Sequence, residues 1–265
     1  MITLSGLRLQ ELEDLAEQMG ATKFRAKQIH NWIYAKSVST IDEMTNLSKD
    51  FREELKSKAV VTESKIKVKQ VSSDGTIKYL IEYPDGECVE TVLMRFDNRA
   101  NLTACVSSQV GCAVNCSFCA TGKRGFIRNL TYQEIIEQVL TIQRDTGLKV
   151  TNVVFMGQGE PLLNLDNVIK AMEIFNENFQ IGARRLTLST SGIVPQIKKL
   201  ADLDFLYKKR KKEEKNNGNS LTYQQKTIEK CHVEFQVKEN GLCGRSLEEA
   251  IKNVNRTHYG LTGSI

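Results

Sequence analysis

The sequence predicts an α/β fold: part of a parallel (β/α) barrel, entered through a small helical head and a β-meander. Three observations predict it. The first 60 or so residues carry apolar side chains at helical spacing. Residues 65–96 read as short strands around two turn signals, Asp74-Gly75 and Pro84-Asp85-Gly86. From Leu102 onward, strand-like and helix-like segments alternate, as they do in βα units on a parallel sheet.

In the head, Leu7 to Met19 sets Leu7, Leu9, Leu12, Leu15, Ala16 and Met19 largely on one helical face, with Ser5 available as a cap. Lys23 to Ala35 repeats the pattern with Phe24, Ile29, Trp32 and Ile33. Ser48 to Ala59 is a third short helix opened by Ser48. Lys65 to Val71, Thr76 to Tyr83 and Cys88 to Phe96 are the strands of the meander. Leu102 to Ser107 is the next strand and leads into a cysteine-rich loop. Thr131 to Thr146 is a helix with a Thr131-x-x-Glu134 capping box. Val150 to Met156 is a continuous apolar strand of the parallel-sheet kind. Helix 165–178, strand 185–190 and helix 194–203 complete three βα units, too few to close a barrel. Beyond Asp204 the pattern stops. The stretch 206–220 is rich in lysine and asparagine and reads as solvated and flexible. It is followed by one strand (His232 to Val237) and one helix (Ser246 to Val254). The expected divisions are thus 1–62, 63–98, 99–204 and an atypical tail, 205–265.

Forty per cent hydrophobic and 26% charged residues exclude a disordered chain or a disulfide miniprotein. No apolar run is long enough for a membrane-spanning helix, and the first 20 residues resemble neither a signal nor a transit peptide. The expected location is the cytoplasm, with no membrane partner. The net charge of +5 lies entirely in Phe205 to Lys230, so the body is neutral. Asn98 to Gln133 is nevertheless free of Asp and Glu while holding Arg99, Lys123, Arg124 and Arg128. That bias suits a polyanion, although a solvated loop explains it as well.

Four of the seven cysteines fall in fifteen residues, CVSSQVGCAVNCSFC (105–119). Cys112, Cys116 and Cys119 form C-x3-C-x2-C directly after a strand. Three thiolates on one loop can bind three irons of a [4Fe–4S] cube and leave the fourth iron open. Zinc and buried structural cysteines are the alternatives. A structural zinc site needs four ligands. Cys105 lies within the preceding strand, and His30, His232 and His258 are remote in sequence. The second motif is MGQGEP (156–161) at the end of a strand. There Gly157 and Gly159 allow close backbone approach, and Glu160 can accept from an ammonium group. A Gly-rich strand-to-helix turn is its plain structural alternative.

The two motifs together resemble the radical S-adenosylmethionine (SAM) superfamily, including the aromatic Phe118 before the last cysteine. CVSSQVGCAVNCSFCATGKRGFIRNLT (105–131), VVFMGQGEPLLNLDNV (153–168) and RRLTLSTSGIVP (184–195) are similar to the RlmN/Cfr family of RNA adenine methyltransferases, and closest to its RlmN branch. KFRAKQIHNWIY (23–34) and SSDGTIKYLIE (72–82) extend the likeness into the head, which the resemblance makes RNA-binding. It implies a partial radical-SAM (β/α) barrel and methylation of adenine carbon 2 in large-subunit rRNA and tRNA. It implies two cofactors, a [4Fe–4S] cluster on Cys112, Cys116 and Cys119, and SAM held by Gly159, Glu160 and Ser189. Glu90 would be the proton acceptor and Cys105 the thiol that resolves the covalent enzyme–RNA adduct. On residues alone, Glu90 is an outward strand residue and Cys105 a buried strand cysteine. The implied partners are rRNA, tRNA and a flavodoxin-like electron-donor system. In the family, one SAM methylates a C-terminal cysteine, and a second yields the radical that activates that methyl group.

The resemblance stops after Asp204. The family's fourth strand with its Ser-Leu-His contact, a later asparagine and an Ala-Cys-Gly-Gln-like segment are expected there. Cys243 in GLCGRS is the nearest look-alike for the last, but its surroundings differ, so it is not assigned. The expectation is a chain truncated or altered after Asp204 that does not complete methylation. The rival readings are another radical-SAM enzyme and a non-catalytic RNA-binding remnant.

Overall fold

The computed structural model describes residues 1–96, 99–201 and 232–235. The head holds strand β1 (Ile2–Thr3), helices α1 (Leu9–Gln18), α2 (Lys23–Tyr34) and α3 (Lys49–Lys58), and strand β2 (Ala59–Val60). β1 and β2 pair in parallel, a contact too short to be legible in the sequence. Leu12, Ile29, Ile33 and Leu55 are fully buried between these helices. Each such side chain contributes roughly 1.5–3 kcal/mol. Ser48 caps α3 as expected, accepting from Phe51 N–H at 3.4 Å. α1 departs from expectation. Arg8 occupies its N-cap position, and the Glu11 carboxylate takes the Arg8 N–H at 2.7 Å. Ser5 instead donates to the Val61 carbonyl and fastens β1 beside the end of α3. Phe24 is also not a core residue: it is 62% exposed, while Ala26 and Tyr34 turn inward.

The meander strands β3 (Lys65–Val71), β4 (Ile77–Glu82) and β5 (Cys88–Phe96) lie where the turn signals place them. β6 (Arg99–Cys105) returns antiparallel to β5, and β9 (Asn152–Phe155) pairs with β6 in parallel. β10 (Leu186–Thr190) and β11 (His232–Phe235) continue the parallel half. One seven-stranded sheet results, in the order β11-β10-β9-β6-β5-β4-β3. The expected boundary at 98/99 therefore falls between two paired strands of one sheet. The strand expected at His232 to Val237 is present as β11, and it runs parallel beside β10 with Thr187 opposite His232. The helix expected at 246–254 lies outside the described residues. Helices α5 (Tyr132–Thr146), α6 (Leu165–Glu177) and α7 (Val194–Ala201) follow their strands as βα units require. Thr131 and Glu134 form the α5 capping box. A second ribbon, β7 (Gln109–Gly111) with β8 (Phe126–Asn129), brackets the short helix α4 (Ala120–Arg124).

Burial alternates along β5, β9 and β10. On β5, Val89, Thr91 and Leu93 are buried, whereas Glu90, Val92 and Met94 are half-buried. The fully buried face packs on the helices, as Tyr79, Ile81, Leu93, Val153 and Phe155 show. The other face is open and carries the polar groups. The head is tied to the helix side of the sheet. Arg8 pairs with Glu173, Gln143 donates to Ser37 Oγ, and Ser64 donates to the buried Glu137. Among the described residues, no helix is long and apolar enough to cross a membrane.

Candidate active site at the cysteine loop

Strand register brings the candidate residues together. Cys105 on β6 stands opposite Val92 on β5, and Glu90 is two residues along β5 on the same face. Cys105 also stands beside Val154, which faces Thr187 on β10, two residues before Ser189. Glu90, Cys105 and Ser189 therefore share the open face of the sheet, each half-buried or partly exposed. Glu90 is 46% exposed and pairs with Lys78 Nζ at 3.0 Å. Burial pushes the Cys105 thiol up, partly offset by the Met156 N–H that donates to its sulfur.

The cysteine loop leaves β7 and returns through β8. Cys112 N–H donates to the Gly125 carbonyl at 3.0 Å and closes the loop at its neck. Cys119 N–H donates to the Cys116 carbonyl at 3.0 Å, and Cys119 occupies the N-cap of α4. All three thiols are free and half-buried. Burial pushes the Cys112 thiol up, a Val114 N–H opposes this, and the nearby charges of Glu160, Cys116 and Cys119 push it further. Glu160 and the three cysteines are thus electrostatic neighbours. Two glycines make the loop possible. A Cβ on Gly111, at φ 74°, would stand 1.9 Å from the Gly125 carbonyl oxygen. A Cβ on Gly122 would stand 2.8 Å from Cys116 N.

The GQGEP turn lies against the same neck. Glu160 N–H donates to Gln109 Oε1 at 2.8 Å, and Gln109 Nε2 donates to Asn129 Oδ1 at 2.8 Å. Ser108 and Gln109 N–H both donate to the Gln158 carbonyl. Glu160 is buried and braces the turn to the end of β10. It accepts from Thr190 Oγ1 at 2.5 Å, Leu162 N–H at 3.0 Å and Ser191 N–H at 2.7 Å. Its Oε2 holds a single one of these bonds, so it retains acceptor capacity. Among the described residues, Gln158 Oε1 and Ser191 Oγ in this turn region are buried without a partner. Sequence reasoning singled out neither, because a polar side chain in a Gly-rich turn carries no periodic signal.

The acid-free stretch is not a bare cationic patch. Arg124 pairs with Glu87 at 2.9 Å. Arg128 is held by Asp85 at 2.6 Å and by both carboxylate oxygens of Glu134. Asp85 and Glu87 come from the distant β4–β5 turn, and Glu134 from the first turn of α5, just past the end of the stretch. These bonds keep Arg128 charged far above any working pH and make it a strut. Lys123 is exposed, with no ion pair among the described residues.

Comparison with known proteins agrees with this arrangement. Residues 2–61 match the family described as "Ribosomal RNA large subunit methyltransferase N-terminal domain", and residues 106–207 match the "Radical SAM superfamily". A "Probable dual-specificity RNA methyltransferase RlmN" of Alkaliphilus oremlandii is 50% identical over 205 residues, covering 76% of this chain and 59% of that protein. A "Dual-specificity RNA methyltransferase RlmN" of Campylobacter fetus is 46% identical over 221 residues, covering 77% and 61%. The chain thus spans about three fifths of the length of these curated relatives. The solved radical SAM methyltransferase from Sphaerobacter thermophilus superposes with a TM-score of 0.72 at 31% identity, covering 99% of this chain and 93% of that one. The chain belongs to the RlmN family of radical-SAM methyltransferases.

Proposed function

We propose that the chain carries the cluster and SAM site of an RNA adenine C2-methyltransferase, with large-subunit rRNA and tRNA as substrates. The observation that carries this reading is the convergence of two motifs on one open sheet face. The three-cysteine loop and the GQGEP turn share a neck, and Glu90, Cys105 and Ser189 lie on the strands beside it. The residues fit the implied groups. A [4Fe–4S] cube takes one thiolate per iron, so its donors surround it and need not converge on a point. Among the described residues, no three His, Cys, Asp or Glu side chains converge on one ion. Cys112, Cys116 and Cys119 would hold the cluster. Gly159, Glu160 and Ser189 would hold SAM, with the spare acceptor of Glu160 Oε2 available to its amino group. A bound cluster supplies the electron that splits the sulfonium of SAM, delivered by a flavodoxin-like donor.

The remaining steps fall to this chain's own side chains. Adenine carbon 2 is not nucleophilic, so its proton must leave after the new bond forms. Glu90 accepts that proton, and its carboxylate is held in place by the Lys78 ammonium at 3.0 Å. Cys105 supplies the thiol that releases the enzyme–RNA adduct. Burial pushes its pKa above the ordinary thiol value, which favours the neutral thiol. The test is incubation of reconstituted protein with labelled SAM, reductant and unmodified rRNA or tRNA. The expected product is 5′-deoxyadenosine, formed only with an intact cluster. Finding none would overturn the reading. The same tube tests whether methylation stops short. Label at adenine carbon 2 would overturn that expectation and direct attention to Cys231 and Cys243 as methyl carriers.

RNA contact at the loop rests on Lys123 and on whatever Arg124 can exchange. A Lys123→Gln variant should weaken RNA binding and lower the slope of log K against log salt by about 0.7–0.9. Glu87→Gln should act oppositely, because it frees Arg124 for phosphate. Arg128→Gln should lower thermal stability before it affects RNA. Filter binding across a salt series checks all three, with no change in slope for Lys123→Gln as the contrary result.

A further inference from the structure

We infer that Ser107 is a positioning residue that fixes the SAM-binding turn against the strand carrying Glu90. The inference rests on the proposed radical-SAM reading. Ser107 has no assigned role in that reading, yet its hydroxyl joins two of the three segments that build the site. Its Oγ donates to the Glu90 carbonyl at 2.6 Å and accepts from Gln158 N–H at 2.9 Å. Cys105 lies two residues before it. One hydroxyl hydrogen and one lone pair are thereby committed, each to a different strand end.

The backbone of Ser107 is held just as firmly. β6 ends at Cys105, and there the chain leaves the sheet. Gln138 on α5 takes over as a substitute strand partner. Its Oε1 accepts from Ser107 N–H at 2.8 Å, and its Nε2 donates to the Ser107 carbonyl at 3.0 Å. Thr91, adjacent to Glu90, donates to the same Gln138 oxygen at 2.6 Å. Ser107, Gln138 and Thr91 are all fully buried. The approach of the turn is close enough to need glycine: a Cβ on Gly157 would stand 2.7 Å from Ser107 Oγ. The three bonds to Gln138 are fully buried, so their groups have no water to turn to, and they hold Ser107 rigidly behind its two part-buried hydroxyl bonds. Losing the hydroxyl would leave the Gln158 N–H and the Glu90 carbonyl without their partner. The turn carrying Gly159 and Glu160 would then be free to shift relative to Glu90.

A purely stabilising residue would behave differently from a positioning one, and SAM affinity separates them. The experiment measures SAM binding by anaerobic equilibrium dialysis on the full reconstituted chain, together with iron content and thermal stability. Ser107→Ala should retain its iron and weaken SAM binding roughly tenfold, the usual effect of removing a supporting hydrogen bond behind a ligand shell. Ile33→Val, in the head core and remote from the turn, should lower stability without moving SAM affinity. Should Ser107→Ala fail to fold or to load iron, Gln138→Glu serves instead. It keeps the acceptor for Ser107 N–H but loses the donor to its carbonyl, and should also weaken SAM binding. Wild-type affinity in the iron-loaded variant, or an equal loss in Ile33→Val, would overturn the inference. A wild-type chain that loads iron but binds no SAM would overturn the reading beneath it, and the inference with it.

Discussion

Alanine at Cys112, Cys116 or Cys119 is expected to abolish the [4Fe–4S] cluster, reducing iron after anaerobic reconstitution from about four per chain to background. The expectation follows from the loop. The thiols lie along a short segment whose ends are pinned by the β7–β8 ribbon and by the Cys112 to Gly125 bond, with Cys116 and Cys119 closing one turn. Among the described residues, no neighbouring thiol can stand in. Cys105 belongs to the sheet face, where its sulfur accepts from Met156 N–H. Cys88 lies at the far end of β5, beside Lys67 at 3.8 Å. Cys88→Ala should therefore keep its iron. Iron and inorganic sulfide analysis with the visible absorption spectrum checks the series. Full iron content in any one of the three loop variants, or stoichiometric zinc with no iron in the wild type, would contradict it.

Two glycine variants should separate the cluster from SAM. Gly111→Ala places a methyl 1.9 Å from a backbone oxygen of the ribbon, at a φ of 74° that already disfavours a side chain. Backbone cannot swing aside as a side chain can, so the neck must open. Iron loading should fail. Gly159→Ala places its methyl 2.5 Å from Gln109 Cβ and 2.7 Å from Gln109 N, at a φ of 97°. That change displaces the turn and leaves the loop intact. Iron should be retained and SAM binding lost. Gly20→Ala is the control for strain alone. It has a φ of 67° and nothing within 4 Å of the added methyl, and it should cost about 1 kcal/mol of stability. Equal behaviour of Gly111→Ala and Gly159→Ala would show that loop and turn are not separately built.

What the sequence made legible was local. Asp74-Gly75 set the β3–β4 hairpin, and Thr131 with Glu134 announced the start of α5, because each signal is complete within four residues. C-x3-C-x2-C and GQGEP were readable because each is one contiguous run of the chain. The structure adds what depends on distant partners. That β5 and β6 pair across the expected division at 98/99 follows from long-range register, which no local pattern states. The ribbon that closes the cysteine loop is built from Gln109–Gly111 and Phe126–Asn129, strands too short for a periodic signal. Ser5 was expected to cap α1, but a nearer carboxylate at Glu11 took the N–H. Arg124 and Arg128 looked available because their counter-charges come from other segments. Glu90 is the instructive case. Reading it as an outward strand residue and reading it as the proton acceptor give the same burial, and only the register with Cys105 gives it chemical company.

The central claim is that the cysteine loop and the GQGEP turn would form one site, with Cys112, Cys116 and Cys119 holding the cluster and Gly159, Glu160 and Ser189 holding SAM beside it. Electron–nuclear double resonance on the reduced, reconstituted protein tests it most directly, using SAM labelled with nitrogen-15 at its amino group. The account predicts hyperfine coupling between that nitrogen and the cluster, lost in Gly159→Ala while the cluster signal persists. A reduced cluster whose spectrum is unchanged by saturating SAM, with no nitrogen coupling, would contradict it.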